Sequence, residues 1–243
     1  MSLPTPADIQ LQLYDHLLQF QLFQGLSRAE LLQLVGNTKF DFLKLPASKN
    51  VITEGTACQQ LFFLISGRLR LSTRSMDHGF AVMEQLSAPW LLQPEALFGS
   101  STRFTCSAQT ETESHFITLS KDEVTRLLNE FLIIRLNMLN LLATQSQRRL
   151  LQQWRRPPQS LRERIIRFLL DHSTYPAGHK DFLILMKRLA NELGYSRLDV
   201  SKALNAMKAE GLVDLQRGRI IVPSLEHLLS AKAEGEKAKR VES

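Results

Sequence analysis

Apolar positions along the chain change period several times, and each change marks a boundary. From Ala7 to Phe23, residues Ile9, Leu13, Leu17 and Phe20 recur every three to four positions, the spacing of one helix face. Ser27 and Glu30 form an S-x-x-E capping pair that predicts a second helix to about Val35. Between Phe40 and Leu119 the helical period disappears. Short apolar runs at 61–65, 69–71, 80–83 and 116–119 are separated by turn signals at Glu54-Gly55, Ser66-Gly67, Asp77-His78-Gly79 and Ala88-Pro89. That spacing predicts an all-β barrel or sandwich. From Lys121 to Trp154 no glycine or proline intervenes, so one long helix is expected until Arg155, Arg156, Pro157 and Pro158 end it.

The long helix carries its own repeat. Leu132, Leu136, Leu139, Ala143, Ser146 and Leu150 step by four and three residues in alternation, the a/d seam of a parallel coiled-coil dimer. Leu141, Leu142 and Leu151 form a second apolar flank, expected to rest against the β-domain of the same or the partner subunit. Ala143 and Ser146 are weak seam residues and leave open a single helix buried on its own barrel.

Beyond a hinge at 156–160, Ser160 and Glu163 repeat the S-x-x-E cap and open the next helix. The stretch Met186 to Val213 then describes two short helices about a sharp turn. Leu189 and Leu193 lie one turn apart, and Gly194 ends the first helix because glycine enters the left-handed region without steric cost. Ser196 caps the second helix, with Asp199 three residues on as the acid of the cap and Val200, Leu204 and Met207 as its buried stripe. This leaves Arg197, Ser201 and Lys202 facing outward. After Leu212, Val213 and Leu215, a glycine turn at Gln216-Arg217-Gly218-Arg219 leads into Ile220, Ile221 and Val222, the pattern of a basic hairpin. A helix-turn-helix followed by such a hairpin is a winged helix. Its base-reading and phosphate-binding candidates are Ser196, Arg197, Ser201, Lys202, Arg217 and Arg219, with Lys187 and Arg188 on the first helix.

Charge singles out the same region. Residues 155–221 hold 13 Lys and Arg against 7 Asp and Glu, residues 1–154 hold 13 against 13, and the last 22 hold 4 against 4. The whole surplus of six therefore coincides with the proposed DNA reader, as phosphate neutralisation requires. At 243 residues and 44% hydrophobic, the chain suits two cores. We expect 1–120 as a β-roll with N-terminal helices, 121–156 as dimerisation helix and hinge, 157–225 as winged helix, and 226–243 as a disordered tail whose Lys/Glu/Ala-rich part, from Ala231, is disordered or a frayed helix. No apolar run approaches the roughly 20 residues of a membrane span, and MSLPTPADIQ lacks the pattern of a secretory signal, so a cytoplasmic location is expected. Cys58 and Cys106 suit buried thiols in a reducing compartment, and the six histidines show no metal-ligand spacing.

In order and spacing these segments resemble the Crp/Fnr family of bacterial transcription regulators. LFQGLSRAELLQL (22–34) is similar to its entry helix, ITEGTACQQLFFLISGRLRL (52–71) to its strand-turn-strand stretch, and GYSRLDVSKALNAMKAEGLV (194–213) to its recognition helix. The resemblance implies an α+β fold: a cyclic-nucleotide-binding-like β-roll (jelly roll), a long dimerisation helix and a C-terminal winged helix-turn-helix. It also implies a homodimer that binds a double-stranded operator and acts by contact with RNA polymerase or by occlusion, without enzymatic activity. Relatives place a guanine-contacting arginine at Arg197 and a basic residue at Lys202. Leu198 replaces a common glutamate, so the preferred half-site should differ at that base pair.

In relatives a Gly-Glu pair and an Arg-Ser pair hold a cyclic nucleotide. Gln93-Pro94 and Phe104-Thr105 stand at those positions here, and proline lacks the backbone donor an anion site uses. Glu95 and Arg103, one position away, join Thr105 as effector-pocket candidates, and cAMP is not the expected effector. Two cysteines cannot build a four-cysteine iron–sulfur cluster within one subunit. His78, beside Gly79 in a predicted turn, reads as a surface residue rather than a haem ligand, so no cofactor or metal is expected. Two other readings of the chain are a ligand-binding module that controls a partner protein, with the C-terminal domain serving as a protein contact, and an enzyme, against which stands the lack of a Gly-rich phosphate loop, a catalytic elbow or a clustered acid and base in the sequence.

Overall fold

The computed structural model describes residues 13–175 and 177–230. The chain folds into two compact units, neither of them contiguous in sequence. The first runs to Leu69 and takes in Leu86–Thr105 and Gln109–Trp154; the second comprises Arg70–Gln85, Cys106–Ala108 and the chain from Arg155 onward.

In the first unit, helix α1 covers 13–18 and gives way to a 3-10 turn at Gln21–Phe23, so the helix expected as far as Phe23 ends sooner. Its start, expected at Ala7, lies outside the described residues. The capping box of Ser27 and Glu30 is formed, with reciprocal hydrogen bonds of 2.8 and 3.2 Å, and opens α2 (Arg28–Asn37). The strands follow in order: β1 (Asp41–Leu45), β2 (Asn50–Ile52), β3 (Gln60–Ser66), β4 (Arg68–Arg74), β5 (Ala81–Ser87), β6 (Trp90–Leu92), β7 (Ser107–Thr110) and β8 (Ser114–Ser120). An antiparallel sheet runs β1-β8-β3-β6, with Phe63 opposite Ile117 on one side and Leu91 on the other. β3 is a continuous apolar run because both of its faces are covered. Phe63 is fully buried and meets Phe20 edge-on at 5.0 Å and Phe23 at 5.5 Å.

The single helix expected from Lys121 to Trp154 is two helices, α3 (Lys121–Glu130) and α4 (Leu132–Gln153), bent by 116°. Phe131 adopts an extended conformation between them and turns its ring inward, 8% exposed. The carbonyls freed at the break find a new donor: Arg135 donates to Leu128 O at 2.7 Å and Asn129 O at 3.0 Å. Asn137 ties α4 to the N-terminal turn through Leu22 O and Gln24 O, at 3.1 and 2.7 Å. No single described helix is long and apolar enough to cross a membrane.

The second unit contains α5 (Leu161–Asp171), capped by Ser160 as expected, then β9 (Lys180–Leu183), α6 (Met186–Leu193), α7 (Arg197–Ala209), β10 (Asp214–Gln216), β11 (Arg219–Val222) and a helix α8 over 225–230. The tail expected to begin at 226 is therefore ordered through 230, because Leu225 and Leu228 are fully buried in the core. From 231 on, it lies outside the described residues. Around β9 the strand order is β10-β11-β9-β5-β4. The hairpin of β4 and β5 thus extends the wing sheet: Ala81 to Glu84 pair with Leu183 to Lys180, and Phe80 and Val82 enter one core with Phe168, Phe182, Leu189 and Ile220.

Directly across that strand pair lies an ion pair with no exposure on either side, Lys180 Nζ to Glu84 Oε1 at 3.1 Å. It is supplied with further partners. Glu84 accepts from the backbone N–H groups of Thr174 and Tyr175 at 3.0 Å each, and Lys180 donates to Ala177 O at 2.6 Å and sits 5.3 Å from the Tyr175 ring. Removing one charge leaves the other buried without its partner. We expect Lys180→Met to cost about 3–5 kcal/mol of folding free energy. The check is the midpoint of denaturant unfolding followed by circular dichroism, which should fall without a comparable change in slope.

Candidate nucleic-acid interface

The helix-turn-helix is built as its sequence dictates. Gly194 ends α6 at φ 70°, ψ 34°, with its own N–H and that of Tyr195 returning to Asn191 O and Ala190 O. Ser196 Oγ accepts from Asp199 N at 3.1 Å and donates to Asp199 Oδ2 at 2.6 Å. Val200, Leu204 and Met207 are fully buried, which fixes the rotation of α7 and turns Arg197, Leu198 and Lys202 into solvent with Ser201 half-buried among them. Asn205, one turn after Ser201, is exposed on the same face and donates to Ser201 O at 2.8 Å. It is not among the residues expected from sequence, although the four-residue spacing from Ser201 puts it in line.

The wing forms between β10 and β11, with Gln216 opposite Arg219 and Arg217-Gly218 at the tip. A cleft of about 340 Å³ runs between α7 and this hairpin, lined by Arg197, Ser201, Leu185, Leu215, Arg217 and Arg219. Neither leucine is a site candidate from sequence, because nothing local in the chain shows that they face the recognition helix.

The candidates divide into free and engaged groups. Arg197, Lys202, Arg217 and Lys187 are exposed. Three others are held by intramolecular partners, Ser196 through the cap expected of it and Arg219 and Arg188 through carboxylates. Ser196 is committed to its cap. Arg219 forms a two-pronged pair with Asp181, its Nε donating to Oδ1 at 2.6 Å, and so braces the wing against β9. Arg188 bonds Asp77 at 2.6 Å and Glu192 at 2.5 Å, and its guanidinium lies over Gly79, where a Cβ would come within 3.0 Å. A side chain at 79 would therefore press on the guanidinium, which would have to shift by a few tenths of an ångström.

Candidate seam residues on α4 are exposed in the single chain: Leu132 at 62%, Leu136 at 48%, Leu139 at 56% and Leu150 at 55%, with Ala143 and Ser146 exposed between them. The opposite face is the buried one, through Ile134 and Met138, each at most 3% exposed. Of the expected second flank, Leu141 and Leu142 are half-buried within the chain, whereas Leu151 is 66% exposed.

The effector-pocket candidates Arg103 and Thr105 have different partners. Arg103 is exposed and donates to Gly55 O at 2.6 Å; Thr105 gives both its N–H and its hydroxyl to Gln93 Oε1, at 2.8 and 3.2 Å. Glu95 sits in a 3-10 turn, Pro94–Ala96, with Oε2 buried and lacking a partner among the described residues. Phe104 is 6% exposed and packs against Phe62.

Two family models match the chain in this order, a cyclic nucleotide-binding domain over residues 42–131 and a Crp-like helix-turn-helix domain over 163–231. The chain belongs to the Crp/Fnr family. Solved Crp/Fnr-type structures share the fold. The catabolite activator protein of Thermus thermophilus is 24% identical, with 86% of this chain and 96% of that chain covered at a TM-score of 0.51. A putative Crp/Fnr regulator of Eubacterium rectale is 20% identical, with 87% and 97% covered at 0.51. The sensor domain of the regulator DNR from Pseudomonas aeruginosa is 20% identical, with 58% and 93% covered at 0.50. Among curated proteins none matches. Within this Crp/Fnr chain the β-roll candidates Arg103 and Thr105 already have partners of their own. Thr105 spends its donors on Gln93, a buried phenylalanine ring precedes it, and Arg103 is turned out to Gly55.

Asp77 of the β4–β5 turn is held well below the usual carboxylate range, at about 2, by the Ser75 hydroxyl first, then the Gly79 N–H and Arg188. Because the folded turn favours the charged form, its contribution is complete above its ordinary value of 3.8 and disappears as pH falls toward about 2. We expect the Asp77 carboxyl resonance to titrate with a midpoint below 3, and the Gly79 amide to lose exchange protection across that range. A titration centred near 3.8 would show an unsupported side chain.

Proposed function

We propose that this transcription regulator reads double-stranded DNA sequence-specifically as a homodimer. The observation that carries the reading is the division among its cations. Arg197, Lys202 and Arg217 stay exposed around α7 and the wing, while neighbouring Arg219 and Arg188 are consumed by carboxylates. Free cations on the first turns of a capped helix suit base edges and phosphates of a major groove. Arg197 is assigned to a base, as a bidentate donor to guanine, and Arg217 at the wing tip to phosphate. Ser201 and Lys202 complete the reading face, with Lys187 at its rim.

Pairing through α4 is supported by the exposed seam Leu132, Leu136, Leu139 and Leu150, whose alternating spacing suits a parallel partner. Such a pair presents two α7 helices to half-sites about one helical turn, ~34 Å, apart. Control of transcription then follows from contact with RNA polymerase or from occlusion, in the cytoplasm. The effector, if the β-roll takes one, is assigned to a class other than cAMP, since its candidate donors are spent within the chain. Catalysis has no part in this reading.

The experiment is equilibrium binding to duplexes selected from a random pool, measured across salt concentrations. Affinity should fall with a log–log slope of about −0.9 per neutralised phosphate. Arg197→Ala should weaken the selected site by about 1–3 kcal/mol and relax one base pair, whereas Arg217→Ala should weaken all duplexes alike and reduce the slope by about one. Equal loss on every duplex for Arg197→Ala would reassign it to phosphate. Separately, Leu136→Asp with Leu139→Asp should convert the sedimenting species to a single subunit with an unchanged circular dichroism spectrum.

A further inference from the structure

Leu198 is the second residue of α7, 64% exposed, and none of the apolar core residues lies on its face of the helix. Single exposed leucines are common on protein surfaces, so exposure alone decides nothing. Its position does. Three and four residues on, Ser201 and Lys202 lie on the same helix face, and Arg197 precedes it, so Leu198 is the apolar centre of a polar and cationic reading surface. The nearest acid on the helix, Asp199, is tied to Ser196 and does not compete for donors on that surface.

We infer that Leu198 determines specificity by packing against the 5-methyl group of a thymine in each half-site, an assignment that rests on the DNA-reading function proposed above. Among groups on the major-groove edges of the four base pairs, this methyl is the apolar one. A leucine there also acts by exclusion. It offers no acceptor to the amino group of cytosine and no donor to guanine, and it would strip those groups of water without replacing the hydrogen bond. Contact with thymine has no such penalty, so the preference arises from the methyl gained and the unmade bonds avoided.

The test uses the full-length chain and the duplex it selects from a random pool. Each thymine in the selected half-site is replaced in turn by deoxyuridine, which removes the methyl and nothing else. Wild-type protein should lose about fourfold in affinity at one thymine per half-site, the worth of one buried carbon group. Leu198→Ala should bind the methylated and unmethylated duplexes equally. Leu198→Glu should shift the preferred base at that position to cytosine, whose amino group a carboxylate accepts. Because the side chain is exposed, both variants should keep the wild-type melting temperature. Deoxyuridine tolerated at every thymine by the wild type, or a methyl effect that persists in Leu198→Ala, overturns the assignment while leaving DNA reading intact. A chain that enriches no sequence and binds no duplex overturns both.

Discussion

Strand β9 is the constraint on which the second unit depends. Four residues long, it pairs with β11 on one edge and β5 on the other, and three of its side chains are buried. Two of those carry charge. A lysine and an aspartate inside a sheet are tolerable only with partners in place, because desolvation of an unpaired ion costs several kcal/mol. Lys180 is answered by Glu84 on one side, and Asp181 by Arg219 on the other. Phe182, next along the strand, is fully buried in the core that supports α6 and α7. The orientation of the recognition helix, and with it the surface of Arg197 and Lys202, is inherited from this short strand.

The same arrangement changes how the chain's net charge should be understood. Six excess positive charges fall within 155–221. Several cations in that segment are nonetheless structural: Arg162 pairs with Glu210, Lys208 with Asp214 at 2.6 Å, Arg155 with Asp171 at 3.5 Å, and Arg167 donates to Arg156 O. Surface pairs of this kind add little stability individually, but they remove candidates from the phosphate-binding set. Of the expected DNA-binding cations, those left exposed are Lys187 on α6, Arg197 and Lys202 on α7, and Arg217 at the wing tip.

Much of this is legible in the chain because the governing interactions are local. Ser27, Ser160 and Ser196 all cap helices where their spacing to Glu30, Glu163 and Asp199 indicates, and Gly194 ends α6 in the left-handed region. The break at Phe131 is not legible. Glu130-Phe131-Leu132 contains no helix breaker, and the bend is imposed by burial of one ring, with Arg135 compensating the loose carbonyls. Nor can local pattern reveal the partners of Arg188, Arg219 and Lys180, which are contributed by Asp77, Asp181 and Glu84 across long stretches of sequence. Of the proposed interface, the residue types and helix face are readable; which cations are free is a tertiary property.

The β4–β5 hairpin makes the boundary of the winged helix discontinuous along the polypeptide. An excised fragment beginning at residue 157 would carry every helix of the reader yet leave out Phe80 and Val82 from its interior. It would strand Lys180 without a counter-ion and bare one side of β9 as a template for foreign strands. Autonomy of the reader therefore belongs to a spatial assembly rather than to any contiguous length of sequence.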